Sequence, residues 1–431
     1  MLLAACGFCL FLVSVGLLQA LLYVPFDGKM RRSLRTPAEI AEWQDWPSAA
    51  VVLSLRGADA TLDACLRGLF QQDYPDCRIL VVIDAETDPA WQVARKIKSE
   101  LRATHVELLP LKNPLDTCSL KCSALVQAVS GLKSDCEILA FLDADVVPHR
   151  TWLKELVDPL ARDAQVGATT GNRWFMPAEL SWAAMTRSLW SAGALVQMCA
   201  LSIPWGGSLA TRLKLVRESG LLEKWAKSFN DDLLVGDMVQ SQGLTLQFVP
   251  SLVMVNHESC DFSGLTQWLA RQLIHVRFYH AGWTGVVTLG LLLSQAIPLG
   301  FAGGIVAAVN GDPAAASWCL GGCLGYLAIM YGLYLLIQRT VGRSLRYRPA
   351  DYQWRFGLGR LAVAVLVSHI VYARALLTAM VRRHVAWRGI TYHIRSSWNV
   401  RMLEYRPYVV DSATLTMPAP EPQVYRPAKA A

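Results

Sequence analysis

A chain of 431 residues that is 53% hydrophobic, with a mean hydropathy of +0.30, is too apolar for an ordinary soluble enzyme. Its polar middle excludes a pure membrane bundle, so one soluble domain plus membrane helices is expected. The formal net charge of +7 does not indicate a nucleic-acid partner, because the arginines gather beside the apolar segments instead of striping the central domain. Eleven scattered cysteines, two of them inside the first apolar segment, indicate neither a zinc site nor a disulfide framework, and a reducing cytosolic setting follows.

Leu2 to Val24 is an uncharged run long enough to cross a bilayer, followed by Lys29, Arg31, Arg32 and Arg35. The charges lie after the apolar run and no small-residue cleavage site follows it, so it reads as an uncleaved anchor across 1–25 and a basic linker across 26–48. Positive charge on that side places the next domain in the cytosol. Three further apolar runs occupy the last third, about Thr284 to Ala308, Pro313 to Ile337 and Gly357 to Val381. Asn310-Gly311-Asp312-Pro313 joins the first two as a turn without Lys or Arg. Arg339, Arg343, Arg346, Arg348 and Arg355 mark the loop before the third as cytosolic. Arg360, His369 and Arg374 fall inside that third run and leave its crossing undecided, with a basic tail across 382–431.

Between 49 and 260, short β-branched runs alternate with amphipathic stretches, as in an α/β domain with a largely parallel sheet. Strands are expected at Ala50 to Leu55, Arg78 to Ile83, His105 to Leu109, Glu137 to Leu142 and Val166 to Thr170. Helices fit Thr61 to Gln71 and Pro89 to Leu101. Ligands of open α/β sheets bind beyond the carboxyl ends of the strands, and here those ends carry Arg56, Asp84, Asp143 and Asp145.

Asp143 and Asp145, two residues apart at a strand end, have the spacing for one carboxylate to ligate Mg2+ or Mn2+ while the other orients a ligand hydroxyl. A bare Asp-x-Asp is equally a solvated turn. Asn230-Asp231-Asp232 precedes an apolar helical pattern ending at Gly243, so an Asp there either caps the helix or acts as a general base. Pro204-Trp205-Gly206-Gly207-Ser208 is a Gly-rich turn after an apolar stretch at 189–203, whose length and flanking Trp182, Trp190 and Trp205 suit an interfacial helix.

Leu55-Arg56-Gly57-Ala58-Asp59, Gln72-Asp73-Tyr74-Pro75, Val82-Ile83-Asp84, Asp143-Ala144-Asp145 and Asp232 eleven residues before Gly243, in this order, resemble family 2 and family 21 glycosyltransferases of the GT-A fold. The closest likeness is to the ceramide glucosyltransferase-like group. The resemblance implies a Rossmann-like GT-A domain at 49–260 and a second interfacial helix at 261–283, ahead of the two or three membrane helices that the apolar runs give at 284–381. It implies that Asp84 contacts the nucleotide base, Asp143 the ribose and diphosphate side and Asp145 the metal, that Lys121 and Arg56 help hold the donor, and that Asp232 is the catalytic base. The family closes its site with Gln-or-Arg-x-x-Arg-Trp, but here Arg271-Gln272-Leu273-Ile274-His275-Val276 completes neither register. Arg271, Gln272, His275 and Arg277 then either meet the diphosphate or acceptor, with Gly206 and Gly207, or sit among lipid headgroups. Trp387-Arg388-Gly389 and Tyr392 also resemble the family's C-terminal motif, without a mechanism. The expected activity is metal-dependent, inverting transfer from a nucleotide-sugar, a UDP-sugar above all, to a lipid hydroxyl such as that of ceramide or a hopanoid-like lipid. A processive polysaccharide synthase, a polyprenyl-phosphate glycosyltransferase and a non-catalytic membrane scaffold are the rival readings.

Overall fold

The computed structural model describes residues 1–32, 45–133, 135–177, 181–345 and 357–405. Arg35, Arg346, Arg348 and Arg355, on which part of the topology reading rests, lie outside the described residues.

After an N-terminal helix α1 (Leu2–Arg32), the soluble domain opens with β1 (Ala49–Leu55), α2 (Leu62–Phe70), β2 (Cys77–Ile83) and α3 (Pro89–Glu100). It continues through β3 (Val106–Pro110), α4 (Leu120–Ser130), β4 (Ile138–Leu142), α5 (Trp152–Arg162) and β5 (Val166–Phe175). The caps follow the sequence. Asp88 accepts from the Ala90 amide at 2.8 Å with Pro89 opening α3, and Ser119 accepts from the Cys122 amide at 3.2 Å to start α4. Then come α6 (Trp182–Ala200), β6 (Ser208–Arg212), α7 (Leu213–Glu218), α8 (Leu221–Trp225), α9 (Asp232–Ser241) and β7 (Thr245–Asn256).

Seven strands form one sheet in the order β3-β2-β1-β4-β6-β5-β7. It is mixed: β6 runs antiparallel to both β4 and β5, and the other pairings are parallel. β6 was not among the expected strands; it starts at Ser208, the last residue of the Gly-rich turn. Alternation of side chains splits the core in two. Val51, Leu53, Ile79, Val81, Ala140 and Leu142 pack toward α2, α3 and α5, while Ala50, Val52, Leu80, Val82, Leu139 and Phe141 pack toward α4 and α9.

The domain leads through α10 (Phe262–Tyr279) into α11 (Trp283–Val309), α12 (Pro313–Ser344) and α13 (Leu358–Val381). With α1, the last three are long and apolar enough to cross a membrane. Small residues let these helices approach closely: Gly322 abuts Cys9, Gly16 abuts Ile329, and Gly304 abuts Leu320. All eleven cysteines are free, including the Cys6 and Cys9 of α1, which have Cys-x-x-Cys spacing. At its domain end α1 is pinned to α12 by Asp27, which accepts from the Thr340 hydroxyl at 2.7 Å. α6 and α10 meet edge to face through Trp190 and Trp268, 5.6 Å between centroids, beside Phe175 of β5.

The segment after α13, expected as a basic tail, folds over 384–405 into a second sheet of β8 (His384–Trp387), β9 (Ile390–Ser396) and β10 (Asn399–Tyr405). Arg388 and Gly389, at φ 46° and 76°, make the two-residue turn between β8 and β9 in the conformation that matches strand twist. Its buried face, Val385, Ile390, Tyr392, Ile394 and Val400, joins the core around α4 and α10. Tyr392 accepts from the Leu120 amide at 3.0 Å, the Met402 amide donates to the Asp116 carbonyl at 2.7 Å, and Tyr279 donates to the Ser397 carbonyl at 2.8 Å.

That docking decides the path of α13. Leu361 near its start shares a cluster with Val341 of α12, with Leu345 just past the end of α12, and with Trp174 and Phe248 of the soluble domain, and Ala379 near its end lies in the core that holds α10. Both ends of α13 thus pack with residues of the soluble domain as well as with the long apolar helices. Reporter fusions placed after residue 260 and after residue 431 should therefore read the same compartment; opposite compartments would require α13 to cross.

Candidate functional site

The register Leu55↔Ile83 between β1 and β2 sets Arg56 and Asp84 side by side at the carboxyl edge of the sheet, where they form a buried ion pair with side-chain exposures of 1% and 3%. Gly57, at φ 76°, turns the chain away, and its amide donates to Asp88. Burial first, and then nearby Asp88, hold the Asp84 carboxyl above its ordinary range against Arg56 and the Tyr405 hydroxyl. One Asp84 oxygen, Oδ1, is buried without a hydrogen bond, an acceptor available to an N–H of a ligand.

Arg388 reaches this edge from the C-terminal hairpin. It donates to the Arg56 carbonyl and to the Asp59 carboxylate, while Arg56 Nε donates back to the Arg388 carbonyl at 2.8 Å. Tyr405, from the end of β10, lies with its ring 4.8 Å from the Arg56 guanidinium. Sequence reasoning noted Arg388 in a motif without a mechanism and missed Tyr405. Only the return of the chain after the membrane helices brings them here, about 330 residues downstream of Arg56, which no local pattern records.

The second group gathers at the end of β4. Lys121, on the first turn of α4, donates to Asp143 at 2.8 Å and to Asp231 at 2.9 Å. Burial alone would lower its pKa, but the two carboxylates raise it well above the ordinary lysine value. Burial likewise opposes ionisation of Asp143, yet Lys121 beside it keeps its carboxyl below the usual range. Asp231 is raised, by burial first and then by Asp232 and Asp143, against Lys121.

At the start of α9 the capping role falls to Asn230, whose Oδ1 accepts from the Leu233 amide at 2.8 Å. Asp231, at the N-cap position, makes no capping bond and turns to Lys121 instead. Asp232 Oδ2 accepts from the Gly206 amide and its Oδ1 from Asn230 Nδ2, both at 2.8 Å. Gly206 is needed at this approach: a Cβ there would lie 2.7 Å from Asp231 Oδ2. The Gly207 carbonyl accepts from the Asp143 amide at 3.3 Å, tying the glycine turn to the end of β4.

Asp145 Oδ2 accepts from Arg173 at 2.9 Å, and Asn256 Nδ2 donates to the Asp145 carbonyl at 2.9 Å. Arg173 in turn lies between the rings of Phe175, Trp205 and Trp268, with its guanidinium 5.2–5.6 Å from each centroid. It occupies the extension of β5 that the sequence reading ended at Thr170, and Asn256 ends a strand that reading did not place. Burial first, then Asp143 and Glu258, raise the Asp145 pKa against Arg173. Asp145 Oδ1 is buried and has no hydrogen-bond partner. Among the described residues no three His, Cys, Asp or Glu side chains converge as a complete metal cage. A bare hard oxygen beside a second carboxylate nevertheless fits a divalent cation that takes its other ligands from phosphate and water.

Of the helix α10 residues, Arg271 makes no hydrogen bond or ion pair among the described residues, and burial, then Arg173 and Arg388, lower its pKa to about 10. Two guanidiniums thus act on a third, Arg271, at this edge, an arrangement that favours a polyanion. Gln272 also makes no hydrogen bond among the described residues and is not joined to the carboxylates. Arg277 is not at the site: it donates to the carbonyls of Ala379 and Arg382 and ties α10 to the end of α13. His275 stacks on Phe229, 5.0 Å between centroids, and its Nδ1 accepts from Asn230 Nδ2 at 3.1 Å, since Asn230 Oδ1 is committed to the Leu233 amide.

Burial, then Arg271, lower the His275 pKa from 6.5 to about 4. The unfolded chain therefore binds the proton that the folded imidazole refuses, so stability is full above pH 6.5 and falls toward about pH 4. In detergent, the native chain should lose more thermal stability between pH 7 and pH 5 than His275→Gln; equal losses would contradict the neutral buried imidazole.

A family model described as glycosyl transferase family 21 matches residues 10–400. A ceramide glucosyltransferase of Komagataella phaffii (strain GS115 / ATCC 20864) is 26% identical over 145 residues, 32% of this chain and 26% of that protein. The chain thus matches about a quarter of that relative's length. Among solved structures, the mannosyltransferase PcManGT of Pyrobaculum calidifontis, in complex with GDP-Man and Mn2+, is 18% identical with a TM-score of 0.48, covering 88% of this chain and 99% of that one. Glucosyl-3-phosphoglycerate synthase of Mycobacterium tuberculosis, in complex with Mn2+, UDP-Glc and glycerol 3-phosphate, is 16% identical with a TM-score of 0.37, covering 56% and 84%.

Proposed function

The chain belongs to glycosyltransferase family 21, and from that premise we propose that it transfers a sugar from a nucleotide-sugar to a lipid hydroxyl with inversion at the anomeric carbon. The soluble domain has the GT-A fold, and the protein is a glycosyltransferase with helices suited to a membrane. One observation carries the finer reading: Lys121, Asp143, Asp231 and Asp232 meet at the carboxyl edge of the sheet, beside the two helices, α6 and α10, that pack on the membrane segments. A polar reacting centre and an apolar approach then share one wall.

In this reading Asp84 receives a base N–H on its open oxygen, and Arg56 keeps that carboxylate oriented. Asp143, Lys121 and the arginines Arg271 and Arg173 border the diphosphate. Asp145 Oδ1, with Asp143 near it, would hold Mg2+ or Mn2+, which when bound supplies charge that stabilises the departing nucleoside diphosphate. Asp232, oriented by the Gly206 amide and by Asn230, accepts the proton of the acceptor hydroxyl as its oxygen attacks the anomeric carbon. Attack from the face opposite the leaving group inverts the configuration. Lys29, Arg31 and Arg32 at the domain end of α1 favour a cytosolic catalytic domain. A UDP-sugar donor and a ceramide- or hopanoid-like acceptor are the substrates to try first, by likeness to the lipid glucosyltransferase relative.

Detergent-purified protein should release nucleoside diphosphate from one nucleotide-sugar in the presence of membrane lipid and Mn2+ or Mg2+, and chelation should abolish release. Asp232→Asn should lower turnover by about 10²–10⁴-fold, the usual contribution of a general base, with donor affinity nearly unchanged. Full turnover in Asp232→Asn would remove that residue from the role, and no release from any donor would remove the transfer reading.

A further inference from the structure

The face of the C-terminal sheet turned away from the core carries positive charge. Register places His384 opposite His393 and His393 opposite Arg401, so the three form a row across β8, β9 and β10. Arg395, two residues along β9 from His393, shares that face, and Arg382 precedes β8 on the same side by alternation. Arg382, His384, Arg395 and Arg401 are exposed, in contrast to the buried Val385, Tyr392, Ile394 and Val400 between them. Among the described residues, none of Arg382, Arg395 and Arg401 pairs with a carboxylate. Glu404 shares this face but stands opposite Thr391, toward the other end of the sheet. The rings of His384 and His393 stack 4.5 Å apart, so this end concentrates groups that repel one another when protonated.

Position supplies the partner. The basic end of the sheet follows directly on α13, which exposes Val363, Ile370, Leu377 and Val381 along its length, the last at 79%. Trp398, 48% exposed in the turn between β9 and β10, lies at the same end, as an aromatic anchor does at a bilayer surface. Basic side chains immediately after a lipid-facing helix are held near the headgroup layer, where each contributes about 1 kcal/mol against an anionic surface. We propose that the face formed by Arg382, His384, His393, Arg395 and Arg401 is a docking surface for anionic lipid headgroups of the bilayer in which the protein sits. The opposite end of the same sheet carries Arg388 and Tyr405 to the Arg56–Asp84 pair, so headgroup contact steadies the element that walls the candidate donor site.

The full chain is placed in nanodiscs of mixed phosphatidylcholine and phosphatidylglycerol, then extracted, and its retained lipid is measured by native mass spectrometry. Wild-type protein should retain phosphatidylglycerol preferentially, and raised salt should weaken the preference. Arg395→Glu/Arg401→Glu should reduce that preference by roughly 30-fold, two arginines at about 1 kcal/mol each. Arg395→Lys/Arg401→Lys should keep it, which separates loss of charge from loss of folding. An unchanged preference in the glutamate variant, or the same loss in the lysine variant, would overturn the proposal. The readout requires no turnover, so it stands or falls apart from the transfer reaction.

Discussion

Lys121 is the charge on which the site depends. Asp143, Asp231 and Asp232 crowd one edge of the sheet, and carboxylates brought out of water in such proximity repel one another. A single ammonium, reached from the first turn of α4, lies within 3 Å of two of them. Its position is fixed by the Ser119 cap below it and by Tyr392, which takes the Leu120 amide. The site is therefore tied to the C-terminal sheet as well as to the helix that bears the lysine. Arg173 plays the corresponding part for Asp145 from within a ring of aromatic side chains.

The same economy of placement governs the membrane side. α12, with 32 residues spanning about 48 Å, is longer than a bilayer core requires, and its surplus joins Phe26, Trp174 and Phe248 in a cluster shared with the soluble domain. α13 begins in that cluster and ends against α10, so the chain comes back to the domain it left. Without that return, Arg388 and Tyr405 could not stand beside Arg56.

Much of this was legible in the sequence because the signals are local. The β-branched runs gave five strands to within a residue or two at most ends, and the apolar runs gave the long helices. β5 was the exception: it continues to Phe175 because its polar second half, Asn172 and Arg173, pairs with β7. β6 and β7 were not anticipated: β6 is a five-residue antiparallel strand that starts at the end of a Gly-rich turn, and β7 mixes polar and apolar residues without strict alternation. Asp143 and Asp145 could be placed at a strand end, but the partners of Asp145 could not: Arg173 and Asn256 come from other strands. Nor does Asn230-Asp231-Asp232 reveal from spacing which residue caps α9, because all three are competent to do so; competition for Lys121 and the Gly206 amide assigns the cap to Asn230.

The central claim is that one carboxylate-assisted displacement joins the sugar to a lipid oxygen. Proton NMR of freshly formed glycolipid, compared with the anomeric configuration of the donor, tests it most directly. The account predicts inversion from the first turnover; a product that keeps the donor's configuration would contradict it.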